Sequence, residues 1–210
     1  MSRGTEPASP KASQSASSAD IPLFPLNTVL FPGGPLPLRI FEPRYLDMVR
    51  YCMREHAPFG VVLIRAGVEA GGAVTSTADI GTSARIVDFF QMPDGLLGIR
   101  CVGERKFKVR ERRVQSDGLN MGTVEWTPAE RPAELPAEYM HLAALLRKVL
   151  PELGEIYQSV PKHFDDAAWV SARLAEILPI NLAEKQLCLE LTDPVQRLER
   201  LAPFIRRAEE

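Results

Sequence analysis

The sequence predicts an α+β protein in which strands come first and helices follow. Three observations carry this. Apolar runs of strand character, separated by turn residues, recur from Ile21 to about Trp126. A proline-broken acidic stretch, TPAERPAELPAE, interrupts them after Trp126. Beyond it apolar residues return at helical spacing.

The first twenty residues, MSRGTEPASPKASQSASSAD, hold Ser, Ala and Pro but nothing to bury, so a disordered tail ending near Asp20 is expected. They contain no apolar core of a secretory signal, and no later run is long and uncharged enough to span a bilayer, which points to a cytoplasmic protein without membrane contact. From Ile21 the chain reads IPLFPLNTVLFPGGPLPLRIFEPRYLDMV, with Pro22, Pro25, Pro32, Pro35, Pro37 and Pro43 inside its most apolar stretch. Proline is tolerated in edge strands, at strand starts and in turns, where its missing N–H leaves no ladder bond unmade. IPLFPL is therefore expected as a short edge-type strand, LFPGG as a turn and PLPLRIF as a second extended piece. Proline at a first helical position, Pro43, then starts a helix to about His56, with Tyr45, Met48, Val49 and Cys52 on one face.

Further strands are expected at FGVVLIR from Phe59, SARIVDFFQM from Ser83, LLGIRCVG from Leu96, KFKVRERRV from Lys106 and MGTVEW from Met121. Pro93-Asp94-Gly95 and Ser116-Asp117-Gly118 are the turns of two hairpins. Residues 127–137 read as a linker with little for a core, closing a β-rich subdomain over 21–126 and opening a helical one over 138–210. Helices are expected over Glu138 to Leu150, Asp165 to Leu178, Leu182 to Leu191 and Pro194 to Arg207, with Asp165 and Asp193 as N-caps.

Formal net charge is −2 over 210 residues, so the chain lacks the basic excess of a protein that grips nucleic acid through phosphates as a whole. Cys52, Cys101 and Cys188 are widely separated in apolar contexts and suit neither a disulfide framework nor a zinc site; they read as reduced core thiols. His56, His141 and His163 show no metal-ligand spacing and no nucleophile beside them, so neither a metal nor a catalytic residue is expected.

The run FPLNTVLFPGGPLPLRIFEPRYLDMV, followed by FGVVLI at Phe59 and the hairpin from Ser83, closely resembles the Lon N-terminal substrate-binding domain family. ILPINLAEKQLCLELTDPVQRLERL resembles that family's closing region, with Lys185, Gln186, Leu187, Leu189, Glu190, Arg197 and Leu198 in the expected arrangement. The resemblance covers about Ile21 to Arg207 and implies a β-rich PUA-like pseudo-barrel followed by a small C-terminal helical bundle. In the full-length ATP-dependent proteases such a domain precedes an ATPase and a protease and helps to select unfolded or tagged substrates. No GxxxxGK[ST] phosphate loop occurs here, and the proteases' Ser and Lys have no counterpart positions, so a stand-alone, non-enzymatic domain without cofactors is expected.

Two binding readings follow. Capture of unfolded or extended polypeptide, or docking on a protein partner, needs exposed apolar surface or an open sheet edge, with Phe24, Phe31, Leu36, Phe89, Phe90 and Met92 as candidates. Phe89 and Phe90 are consecutive and cannot both face one side of a strand. Arg39 and Arg44, with Glu42, are expected to form a charge cluster that could meet a peptide carboxylate. The alternative is an RNA-binding module, for which Lys106, Lys108, Arg110 and Arg112 alternate with apolar residues and are expected to put four cations on one strand face.

Overall fold

The computed structural model describes residues 18–67, 69 and 74–209. The greater part of the expected disordered tail lies outside these residues. Its boundary moves, because Ser18, Ala19 and Asp20 are already paired in a strand with Glu125, Val124 and Thr123.

Seven strands, β1 (Ser18–Leu26), β2 (Pro35–Ile40), β3 (Phe59–Gly67), β4 (Val74–Thr77), β5 (Ile80–Gln91), β6 (Leu97–Val114) and β7 (Asn120–Trp126), form one sheet among the described residues. Its order is β1-β7-β6-β5-β3-β4, and a parallel pairing of β1 with β3 closes the first five into a ring. β2 lies on β6 and β4 on β3. β1 is thus no edge strand, contrary to the expectation for IPLFPL. It pairs with β7 up to Leu23 and with β3 from Leu23 onward, so Pro22 and Pro25 each interrupt only one of two short ladders.

The runs expected as two strands from Leu96 and Lys106 are a single long β6. It lies against β5 on one side, while its other side passes from β2, paired with it as far as Val102, to β7, paired with it from Phe107. Gly103 sits at the handover. Its N–H donates to the Gly34 carbonyl at 2.9 Å, and a Cβ there would stand 2.2 Å from the Phe31 carbonyl oxygen, so only glycine lets the LFPGG turn come this close. Both hairpins form with Gly95 and Gly118 at positive φ. α1 (Pro43–Glu55) covers the ring with Tyr45, Met48, Val49 and Cys52, which join Phe24, Phe59, Ile99 and Cys101 in one core cluster.

The helical part contains α2 (Met140–Val149), α3 (Glu155–Gln158), α4 (Ala167–Ile177), α5 (Leu182–Glu190) and α6 (Pro194–Glu209). α3, a single turn, and β4 are too short to leave a periodic signal in the sequence. Asp193 bonds the Val195 N–H at 2.8 Å as an N-cap should. At α4 the cap is Asp166, accepting from Ala168 at 2.9 Å, and not Asp165, whose backbone carbonyl receives the Leu135 N–H instead.

That bond belongs to a second correction. The proline-broken stretch supplies buried Leu135 and half-buried Ala133 to the helical core, and Glu134 bridges to Asp166. It is a strap across the start of α4. The helical core also takes in Val29, Phe31, Leu63 and Ala78 from the β-rich part, so the two parts share apolar interior.

Candidate functional site

The residues singled out for polypeptide binding separate by burial. Phe24 packs its ring 4.0 Å from that of Tyr45 and Phe31 is enclosed by the helical core, so neither presents surface; Leu36 is buried in the barrel core but also lines the groove beside β2. Met92 is half-buried. The expected Arg39–Glu42–Arg44 cluster does not form. Arg44 pairs with Glu42 at 2.7 Å, donates to the Gly118 carbonyl at 2.9 Å and lies over the Tyr45 ring, while Arg39 reaches the hairpin turn and pairs with Asp94 at 2.6 Å.

Exposed apolar surface is found on the outer half of β5. Its inner half pairs with β3 as far as Ala84; from Arg85 to Gln91 it has β6 alone, and among the described residues no strand lies on its other edge. Val87, at a bulge between Ile86 and Asp88, is 47% exposed, Phe89 58% and Phe90 39%. Both phenylalanines are therefore exposed, one on each face of the arm formed by β5 and β6. Phe41, one residue past β2, is 51% exposed.

Phe90 is held in place. It stands opposite Gly98, and a Cβ on that glycine would meet the ring at 2.6 Å, so the aromatic lies flat across the bare backbone. Arg100 lies over the ring at 5.2 Å and pairs with Asp88 at 3.2 Å. The other Asp88 oxygen accepts the Phe89 N–H at 2.9 Å. Bulge and carboxylate together protect this edge from indiscriminate strand pairing, leaving side chains as its main offering.

Beside the arm lies a groove of about 320 Å³. One wall is the outer face of β2, β6 and β5, with Pro35, Pro37, Val87 and Val102; the other is α3 and the turn after it, with Ile156, Val160 and Pro161. Sequence reasoning missed this wall, because a four-residue helix followed by a loop has no periodicity to detect.

The basic strand does not form the four-cation face expected of it. Lys106 is 5% exposed, because the strand departs from alternation where β6 changes partners and buries both Lys106 and Phe107. Arg110 pairs with Glu125, Arg112 with Asp79 at 2.7 Å and Arg113 with Asp20 at 2.8 Å, so most of the remaining charge is balanced by carboxylates of β7, β1 and the turn between β4 and β5.

Lys106 has a different task, at the floor of a second cavity of about 230 Å³. Its Nζ donates to Glu130 at 2.6 Å and to the Leu189 and Leu191 carbonyls at 3.0 and 2.8 Å. Arg197 donates to the same Glu130, to the Cys188 and Leu191 carbonyls and to Ser171 Oγ. Burial pushes the Lys106 amine down and is opposed by Glu130. Burial also pushes the Glu130 carboxyl up, but Arg197 and Lys106 outweigh it and hold it below the usual carboxylate range. The two cations tie β6, the strap and the end of α5 together.

The three cysteines are buried and free, and burial lifts the Cys52 thiol to about 11 and that of Cys101 to about 12, so neither is a ready nucleophile. His56, His141 and His163 are all on the surface, and among the described residues no group of three or more His, Cys, Asp or Glu side chains is placed to hold a metal. No helix among those residues is long and apolar enough to cross a membrane.

With this geometry in view, comparison with known proteins is decisive for the family. The family described as the ATP-dependent protease La (LON) substrate-binding domain matches residues 20–207. The chain belongs to that family. A Lon N-terminal domain protein from Xanthomonas campestris has a similar solved structure, with a TM-score of 0.73, 39% identity and coverage of 88% of this chain and 98% of that one. The N-terminal domain of the Mycobacterium avium complex Lon protease shares the fold at 18% identity, with a TM-score of 0.62 over 89% of this chain and 97% of that one. The Lon protease of Anaeromyxobacter dehalogenans is 26% identical over 91% of this chain, which spans 24% of that protein's length. Protein cereblon of Gallus gallus is 30% identical over 71% of this chain and 32% of its own length. What the Lon proteases share with this chain is thus their substrate-binding domain. Arg197 and Lys185, picked out by their place in this family's closing region, are both anchored inside the helical part, Lys185 through a bond to the Glu176 carbonyl at 2.6 Å.

Proposed function

We propose that this Lon-type domain is a non-catalytic module that holds unfolded or extended polypeptide on the β5–β6 arm and in the groove beside it. One observation supports the reading above others: Val87, Phe89 and Phe90 leave a run of apolar side chains in water, on a strand half with a free edge and next to an apolar groove. A single exposed apolar residue means little, but a run of them along one element, backed by a groove, marks a contact surface. The names of the Lon proteases it matches suggest work in proteolysis or quality control. Affinity in the micromolar range, about −8 kcal/mol, is within reach of a few apolar anchors.

The test is fluorescence anisotropy of a labelled, permanently unfolded protein titrated with this domain, with labelled single-stranded RNA as comparator. Saturable binding to the unfolded chain is expected, nearly independent of salt, and weakened about tenfold or more by Val87→Ser with Phe90→Ser, since each buried aromatic or aliphatic anchor is worth about 1.5–3 kcal/mol. Binding to RNA alone, falling steeply with salt, would overturn the proposal. Binding to neither would direct the search to a folded partner protein.

A further inference from the structure

Both walls of the groove are fastened to one buried pair of charges. Arg173 and Glu176, on α4, are joined at 2.7 Å, and the arginine is fully enclosed. Toward the β2 wall, Arg173 Nη2 donates to the Pro32 carbonyl at 2.9 Å. The turn that follows presses on the pair so closely that a Cβ on Gly34 would fall 1.9 Å from Glu176 Oε1, and one on Gly33 3.1 Å from Arg173 Nη1. Toward the α3 wall, the Tyr157 hydroxyl donates to Glu176 Oε2 at 3.4 Å. Gly33 itself lines the groove, as do Ile156 and Gln158 on either side of Tyr157.

This arrangement is unusual in what it leaves undone. Among the described residues, Arg173 Nε and Nη1 are buried without a hydrogen-bond partner, and Glu176 is the one carboxylate bonded to this guanidinium. The charged and titratable groups that face Glu176 are Arg173 on its own helix, Tyr157 from α3 and Lys185 from α5; the Gly33–Gly34 turn brings only backbone. If Glu176 takes up a proton, the ion pair is lost, its oxygen becomes a poorer acceptor for Tyr157, and Arg173 keeps a single bond to the turn.

We propose that the Arg173–Glu176 pair is a proton-sensitive clasp that holds the two walls of the groove at a set distance and loosens when Glu176 is neutral. Burial pushes the Glu176 carboxyl up to about 7, against the pull of Arg173, so the change falls near neutrality. The clasp rests on the groove geometry alone; its bearing on polypeptide rests on the function proposed above.

The experiment follows backbone amide resonances of Gly33, Gly34 and Tyr157 through a titration between about pH 5 and pH 9. The expected result is a common transition with a midpoint near 7 that is absent from Glu176→Gln, whose resonances stay at their acidic positions. Tyr157→Phe should keep the transition at the two glycines and lose it at residue 157. Flat titrations in the wild type would overturn the clasp, as would a transition that survives Glu176→Gln or vanishes in His163→Asn. No ligand takes part, so this result stands apart from the polypeptide reading. Unfolded-protein binding measured on the same samples, tighter or weaker on the two sides of the transition, tests that reading separately.

Discussion

Lys106 shows how much a single side chain can depend on its surroundings. Period-two alternation places it with Lys108, Arg110 and Arg112, yet it is buried beneath Glu130 and two helix-end carbonyls while Lys108 is exposed. Removing one partner of a buried ionic cluster costs about 3–5 kcal/mol, and an exposed lysine without such ties is worth within about 0.5 kcal/mol. Lys106→Ala should therefore lower the urea midpoint sharply and Lys108→Ala should leave it in place, as equilibrium unfolding will show. Gly34→Ala is the steric counterpart. Its Cβ would fall on Glu176 Oε1, and forcing such overpacking costs about 1–3 kcal/mol.

Glu176 makes a prediction about pH. Its ordinary value near 4.5 applies in the unfolded chain and about 7 in the folded one, so the folded state binds more protons between these limits. The stabilising contribution is full below the lower value and is lost as pH rises through the higher. Denaturation midpoints measured across this window should fall with rising pH more steeply in the wild type than in Glu176→Gln. A wild-type slope that is unchanged by the substitution would contradict it.

Among the elements, the outer half of β5 and the strap over 127–137 differ in how much of their placement is local. Consecutive Phe89 and Phe90 require one of them to leave the core, and both stand in water because this part of β5 runs past β3 with only β6 beside it. The strap is poor in core residues by composition, but position decides: Leu135 needs only one buried site, the Ala133 carbonyl accepts from the first residue of α4, Ala167, and the Leu135 N–H donates to Asp165 just before it, both at 2.8 Å. Leu135→Ala should cost about 2–5 kcal/mol despite lying in a stretch of loop. Unfolding measured by tryptophan fluorescence and by circular dichroism will check it, and the two signals should move together.

For the whole molecule, the question is whether the β-rich and helical parts stand alone. Phe31, Val29, Leu63 and Ala78 complete the helical core, and Lys106 satisfies carbonyls at the end of α5. A chain cut after Trp126 would expose these apolar residues and strand the lysine. Such a fragment should lose cooperative unfolding in calorimetry, and a fragment that melts as sharply as the whole chain would show the parts to be independent.

Amino-acid order by itself determined α1 from Pro43 with its buried face, the two glycine turns, the long helices and the family to which the chain belongs. These are local matters of periodicity, capping and backbone freedom, written within a few residues of where they act. Tertiary structure alone decided that β1 bridges two partners, that β6 runs unbroken past Gly103, that Lys106 is buried, and that a groove opens between β2 and α3. Each of these depends on what another part of the chain, tens of residues away, supplies as hydrogen-bond acceptor or cover, and a single strand of sequence carries no local mark of it.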